Sequence, residues 1–215
     1  MYNKMFKFVR DYLITHEAEI TNGESRQISF RKRSEHIQRV FMWVERLIEG
    51  EDFINKEAVL VSAVFHDVGY ALNFNNLDHA ENSATICEKY LKENTFSTDF
   101  INLVTYLVRN HSNKELMTVG DTPLELIVLM EADLLDETGA LSVVWDCMVE
   151  GSERIQSFKN TYNHIINYSY DTLTVNPMVT DKGKKFWEDK QQLVKEFAKQ
   201  LSFDLGLDEE SARVS

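Results

Sequence analysis

Three places in this 215-residue chain carry side chains suited to holding a cation. His66-Asp67 closes the most apolar stretch, Ala58-Val59-Leu60-Val61-Ser62-Ala63-Val64-Phe65. Removing a carboxylate from water costs several kcal/mol unless a charge compensates it. Either the helix ends here and both side chains reach water, or both point at a divalent cation. Imidazole nitrogen and carboxylate oxygen are good ligands for such an ion. His36 lies in Ser34-Glu35-His36-Ile37-Gln38-Arg39-Val40, and Asp133 lies in Met130-Glu131-Ala132-Asp133-Leu134-Leu135-Asp136. Singly, each has an ordinary reading: a boundary histidine, and an acidic helix end in which Glu131, Asp133, Asp136 and Glu137 are solvated. Together they form an ordered set from three helices, and helical bundles often bind metals through inward side chains on facing helices.

The elements expected to position these residues are all helical. Residues 2–20 read as a helix, followed by an Asn22-Gly23-Glu24-Ser25 loop. A helix capped by Ser34 runs to about Glu49, with Ile37, Val40, Phe41, Val44, Leu47 and Ile48 at 3–4 spacing on one buried face; Gly50 ends it. Residues 56–67 form a helix buried on most sides, stopped by Gly69. Helices follow at 78–93, 98–110 and 122–136, the last with Pro123 in its first turn and Thr122 as cap. Further helices are expected at about 138–149, 152–168 and 181–201, with Asn176-Pro177 as a break. Two prolines and eight glycines leave long helices uninterrupted, and no segment reads as a strand.

The order His36, His66-Asp67, Asp133 resembles the HD-domain superfamily of metal-dependent phosphohydrolases, whose signature is H…HD…D. The resemblance rests on His36 followed by Arg39-Val40, on Ala63-Val64-Phe65-His66-Asp67-Val68-Gly69, and on Ala132-Asp133-Leu134-Leu135-Asp136. It covers about residues 30–140; the helical extension, about 141–205, resembles that of small bacterial HD hydrolases. It implies an all-α HD-domain helical bundle, with residues 1–215 as a single domain. It implies a divalent ion (Mn, Fe, Co, Ni, Zn or Mg) held by His36, His66, Asp67 and Asp133. Two-metal HD proteins add two histidines between the HD pair and the last aspartate. His79 and His111 fall in that interval, as candidates for a second metal or for substrate, with a polar helix terminus as the plainer reading. Asp67 is then the natural bridge and the catalytic centre of the set. Arg33, Arg39, Arg109 and Lys114 are candidate phosphate-binding cations, or ordinary surface charge. In many HD enzymes a lysine closely follows the HD pair; here Tyr70-Ala71-Leu72-Asn73 follows.

The implied activity is hydrolysis of a phosphoester or phosphoanhydride, in a nucleotide or similar small molecule, by water activated at the metal. The alternatives are a catalytically silent metal- or ligand-binding sensor and an oxygen-activating di-iron enzyme on the same fold. A net charge of −12 repels duplex nucleic acid, whereas a bound cation inverts the local field for a small phosphate. Hydrophobic residues make up 43% and charged residues 27%, as in ordinary globular chains. No apolar run approaches the ~18 residues that span a bilayer. The first residues lack a signal-peptide core, so the cytoplasm is the expected location. Cys87 and Cys147 are expected as reduced, buried thiols. His16 and His164 match nothing and are expected to be structural or exposed.

Overall fold

The computed structural model describes residues 1–20, 32–72, 78–152 and 156–207, with the side chains of 16–20 excepted. The expected 22–25 loop, Asn73 and the His16 side chain therefore lie outside the described residues. Every described element is helical, as the sparse prolines and glycines require. Contacts divide the chain into two compact units, Met1–Asp133 and Leu134–Ser215.

In the first unit, α1 (Tyr2–Ile20) packs on α2 (Arg33–Ile48) and on α3 (Lys56–Phe65). α3 also packs on α2, on α4 (His79–Glu93) and on α5 (Thr98–Asn110), and α4 packs on α5. α6 (Leu124–Asp136) leads to the boundary between the units. The expected face of α2 is buried: Ile37, Val40, Phe41, Val44, Leu47 and Ile48. Gly50 follows with φ +76°, the left-handed conformation that turns the chain out of a helix. α3 buries Ala58, Val59, Val61, Ser62, Ala63, Val64 and Phe65. Its start is capped by the Asn55 side chain, which accepts from the Ala58 amide at 3.1 Å.

Some boundaries differ from the sequence reading. α2 begins at Arg33, so Ser34 sits inside its first turn and Lys32 precedes it without a side-chain cap. α6 begins at Leu124, immediately after Pro123, and the Thr122 hydroxyl donates instead to the Leu116 carbonyl at 2.7 Å. α3 ends at Phe65, before His66-Asp67, and Gly69 lies within a 3₁₀ turn, Val68–Ala71. Gly69 does not stop a helix; it permits a close approach. A Cβ there would lie 2.2 Å from the His79 carbonyl oxygen and 2.5 Å from the Ser83 amide nitrogen. The Gly69 amide donates to Ser83 Oγ at 2.8 Å. The turn after the HD pair is thereby pressed onto the first turn of α4.

The second unit contains α7 (Ala140–Ser152), α8 (Phe158–Ile165), a π-helical turn (Ile166–Tyr170), the short α9 (Asp171–Leu173) and α10 (Asp181–Asp204). α10 starts with the Thr180 hydroxyl accepting from the Gly183 amide at 3.0 Å, and it buries Trp187, Val194 and Ala198. Cys87 is buried as expected, and burial pushes its thiol above the ordinary range. Cys147 is exposed, at the edge of the α7 face that buries Val143 and Asp146. No described helix is long and apolar enough to cross a membrane.

Candidate metal centre

Five elements bring their polar side chains to one point. α2 carries Arg33 and, one turn on, His36. The turn after α3 carries His66 and Asp67. α4 opens with His79, and His111 follows α5; α6 supplies Asp133. His36, His66, Asp67, His79 and His111 are each at most 6% exposed. Such a concentration of imidazole and carboxylate in a core needs mutual compensation or a cation.

Two groups share Asp67. The Nε2 atoms of His36 and His66 lie 3.2 Å apart. Asp67 Oδ2 is 3.3 Å from the former and 3.6 Å from the latter. Asp133 Oδ1 is 3.3 Å from His36 Nε2 and 3.9 Å from His66 Nε2. On the other side, the Nε2 atoms of His79 and His111 lie 3.3 Å apart. Asp67 Oδ1 is 3.4 Å from His111 and 3.7 Å from His79. Each oxygen of one carboxylate thus faces its own pair of histidines.

The backbone fixes how two of these rings are protonated. His66 Nδ1 lies 2.8 Å from the Ala63 carbonyl and His111 Nδ1 lies 2.7 Å from the Val108 carbonyl. A carbonyl oxygen only accepts, so the proton is on Nδ1 and Nε2 of the neutral ring keeps its lone pair. Burial lowers the His66 pKa to about 4, which keeps that ring neutral near pH 7. Burial by itself would raise the Asp67 carboxyl. His66, His111, His36 and Arg33 around it prevail and hold it well below the usual carboxylate range. Asp133 is likewise held low against burial, by Lys114 first and then by His36 and His66.

These donors fit divalent ions. Nitrogen and oxygen ligands bind such ions at about 2.0–2.2 Å, which puts neighbouring ligand atoms about 3.0–3.5 Å apart. Most separations above fall in or near that range. His36, His66 and Asp67 form one group able to hold a metal, and Asp67, His79 and His111 form another.

The four candidate cations have different surroundings. Arg33 Nη1 donates to Asp67 Oδ2 at 2.7 Å, and its guanidinium lies 4.0 Å from the centre of the Tyr70 ring. Lys114 Nζ donates to Asp133 Oδ2 at 2.6 Å and to the His111 carbonyl at 2.9 Å. Arg109 is not brought to the carboxylates of the cluster; it makes a two-bonded pair with Glu81 on α4, at 2.6 and 3.2 Å. Arg39 is half-buried on α2.

Sequence reasoning missed two features. Tyr70 stacks on His79, with centroids 4.5 Å apart and planes at 16°. Its position directly after Gly69 was the available signal. Glu131 and Asp136 are fully or nearly fully buried rather than solvated, since α6 is buried on nearly every side, from Leu126 through Ala132 and again at Leu135. In the second unit, His164 is half-buried, with Nε2 3.3 Å from Asp146 and Nδ1 2.9 Å from Glu150.

Residues 33–138 match the family model of the HD domain. This chain carries an HD domain. The matched span begins three residues before His36 and ends five after Asp133, so it encloses the whole cluster. Solved structures share the fold. A predicted HD superfamily hydrolase from an uncultured Thermotogales bacterium superposes with a TM-score of 0.66 at 18% identity, over 94% of this chain and 92% of the other. An HD-superfamily hydrolase from Bacillus thuringiensis gives 0.63 at 17% identity, over 95% and 100%. Bacillus subtilis YpgQ, solved in complex with ADP, gives 0.64 at 18% identity, over 94% and 93%. No curated protein matches the chain significantly.

Proposed function

We propose that this HD domain is a metal-dependent phosphohydrolase that cleaves a phosphoester or phosphoanhydride bond in a nucleotide or similar small molecule. One observation carries the reading: Asp67 divides its two oxygens between His36–His66 and His79–His111. His36, His66, Asp67 and Asp133 are the ligands of one divalent ion, and His79 and His111 join Asp67 at a second. Bound there, the ions supply a Lewis acid for phosphoryl oxygens and a water acidified toward neutral pH. The chain's part is to keep the donors ready. The Ala63 and Val108 carbonyls hold the protons of His66 and His111 on Nδ1, so that Nε2 faces inward as a base.

Arg33 is the cation best placed for a substrate phosphate. Its side chain is about a quarter exposed, and one guanidinium nitrogen already touches Asp67. The remaining N–H groups suit bidentate bonding to phosphoryl oxygens as charge develops on them. Support for a nucleotide-sized substrate comes from YpgQ, whose structure holds ADP. The same donor set suits Mn, Fe, Co, Ni or Zn better than Ca, which prefers all-oxygen ligands.

The test is elemental analysis of the purified chain, joined to a panel of nucleotides and phosphate esters with Mn²⁺ or Mg²⁺ added. Metal bound together with phosphate release supports the reading. Metal bound with no turnover on the whole panel points to a sensor, and an iron-dependent absorption band with oxygen consumption points to oxygen chemistry.

A further inference from the structure

The ring of Tyr70 has a neighbour on each face. The His79 imidazole is stacked on it at 4.5 Å and 16°, and the Arg33 guanidinium lies 4.0 Å from its centroid. Two groups this close to one centroid cannot share a face without colliding, so the ring is sandwiched between them. A guanidinium is attracted to the negative face of an aromatic ring, and an offset aromatic pair is favourable as well.

The sandwich touches both halves of the cluster. Arg33 also donates to Asp67 Oδ2, on the His36–His66 side. His79 faces Asp67 Oδ1, on the His111 side. Gly69 brings this about: with a Cβ at position 69, the backbone carrying Tyr70 could not lie against the His79 carbonyl. Because both faces are taken, the Tyr70 ring has no face left on which a nucleobase could stack.

We infer that Tyr70 is a positioning residue whose ring, rather than its hydroxyl, orients His79 toward Asp67 and holds Arg33 at the mouth of the site for a substrate phosphate. This rests on the functional reading above. The residue that follows Gly69 would set both the affinity for the second ion and the affinity for substrate, without touching the reacting atoms.

The experiment compares the wild-type chain with Tyr70→Phe and Tyr70→Leu, using Mn²⁺ binding isotherms and kinetics on bis(p-nitrophenyl) phosphate. Tyr70→Phe keeps the ring and should stay within about two-fold of wild type in every measurement. Tyr70→Leu should weaken one of the two Mn²⁺ ions by about ten-fold or more and leave the other nearly unchanged, because His79 belongs to one group only. It should also raise KM more than it lowers kcat, because Arg33 loses its platform. If Tyr70→Leu does not fold, Tyr70→Met serves as the ring-free variant. Unchanged Mn²⁺ binding in a ring-free variant overturns the inference alone. So does a Tyr70→Phe variant as impaired as Tyr70→Leu. A wild-type chain that takes up no Mn²⁺ overturns the functional reading and this inference with it.

Discussion

Lys114 joins Asp133 to the backbone of His111: its ammonium lies 2.6 Å from Asp133 Oδ2 and 2.9 Å from the His111 carbonyl. Asp133 Oδ1 is left to face His36 and His66. Lys114→Met leaves that carboxylate short of its strongest counter-charge. Both side chains are partly exposed, so the cost is that of a screened pair, about 1–2 kcal/mol in metal-free protein. Urea denaturation of the two proteins measures it. A variant as stable as wild type would show that the contact contributes nothing to the fold.

Asp67→Asn removes the shared charge but keeps the shape. The amide retains one oxygen acceptor and turns a donor toward one histidine pair. Elemental analysis should find the variant without bound metal, and phosphate release should fall by about three orders of magnitude or more, as expected when a metal-activated nucleophile is lost. Turnover within ten-fold of wild type at equal metal content would sink the assignment of Asp67.

Metal-free protein should lose stability on acidification, and His66 contributes to this with a definite sign. Its folded-state pKa is about 4, while the unfolded chain takes up the proton near 6.5. Between these values the unfolded state binds more protons, so stability falls as pH drops from about 6.5 to about 4, by roughly 2–3 kcal/mol over the window. Asp67 and Asp133 act in the same direction at lower pH. Their folded pKa values lie well below 3.8, so the stability that they add above 3.8 is lost as pH falls through the folded values. Denaturation of wild type and His66→Asn at pH 7.5 and pH 5 isolates the histidine. Parallel losses in the two proteins would refute its role.

Gly69→Ala puts a methyl carbon 2.2 Å from the His79 carbonyl oxygen. Backbone cannot swing aside as a flexible side chain does, so the turn or the start of α4 must shift. Overpacking of this kind costs about 1–3 kcal/mol. The shift also moves His79 relative to Asp67. Thermal melts should show the lower midpoint, and Mn²⁺ isotherms should show weaker uptake at the His79–His111 group; normal uptake of both ions would exclude this role for Gly69.

Much was legible from residue order. Apolar spacing marked α2 and α3, and the scarcity of proline and glycine marked an all-helical chain. His66-Asp67 stood out because charge at the end of an apolar helix needs a partner, whereas His36 and Asp133 gained meaning only from their order around that pair. Caps were less legible. Ser34 and Thr122 are good capping types, but a helix start depends on where the preceding chain enters. Cys147 looked buried because α7 is apolar on more than one face.

The sequence alone determined which donors exist and that helices carry them, since composition and 3–4 periodicity are local properties. Tertiary structure alone decided which oxygen of Asp67 serves which histidines, that Lys114 and Arg33 neutralise the carboxylates while Arg109 pairs with Glu81, and that Tyr70 lies between Arg33 and His79. Those relations depend on side-chain directions from helices that are distant in sequence, and on a glycine whose missing Cβ lets two backbones meet. No local pattern encodes such distances.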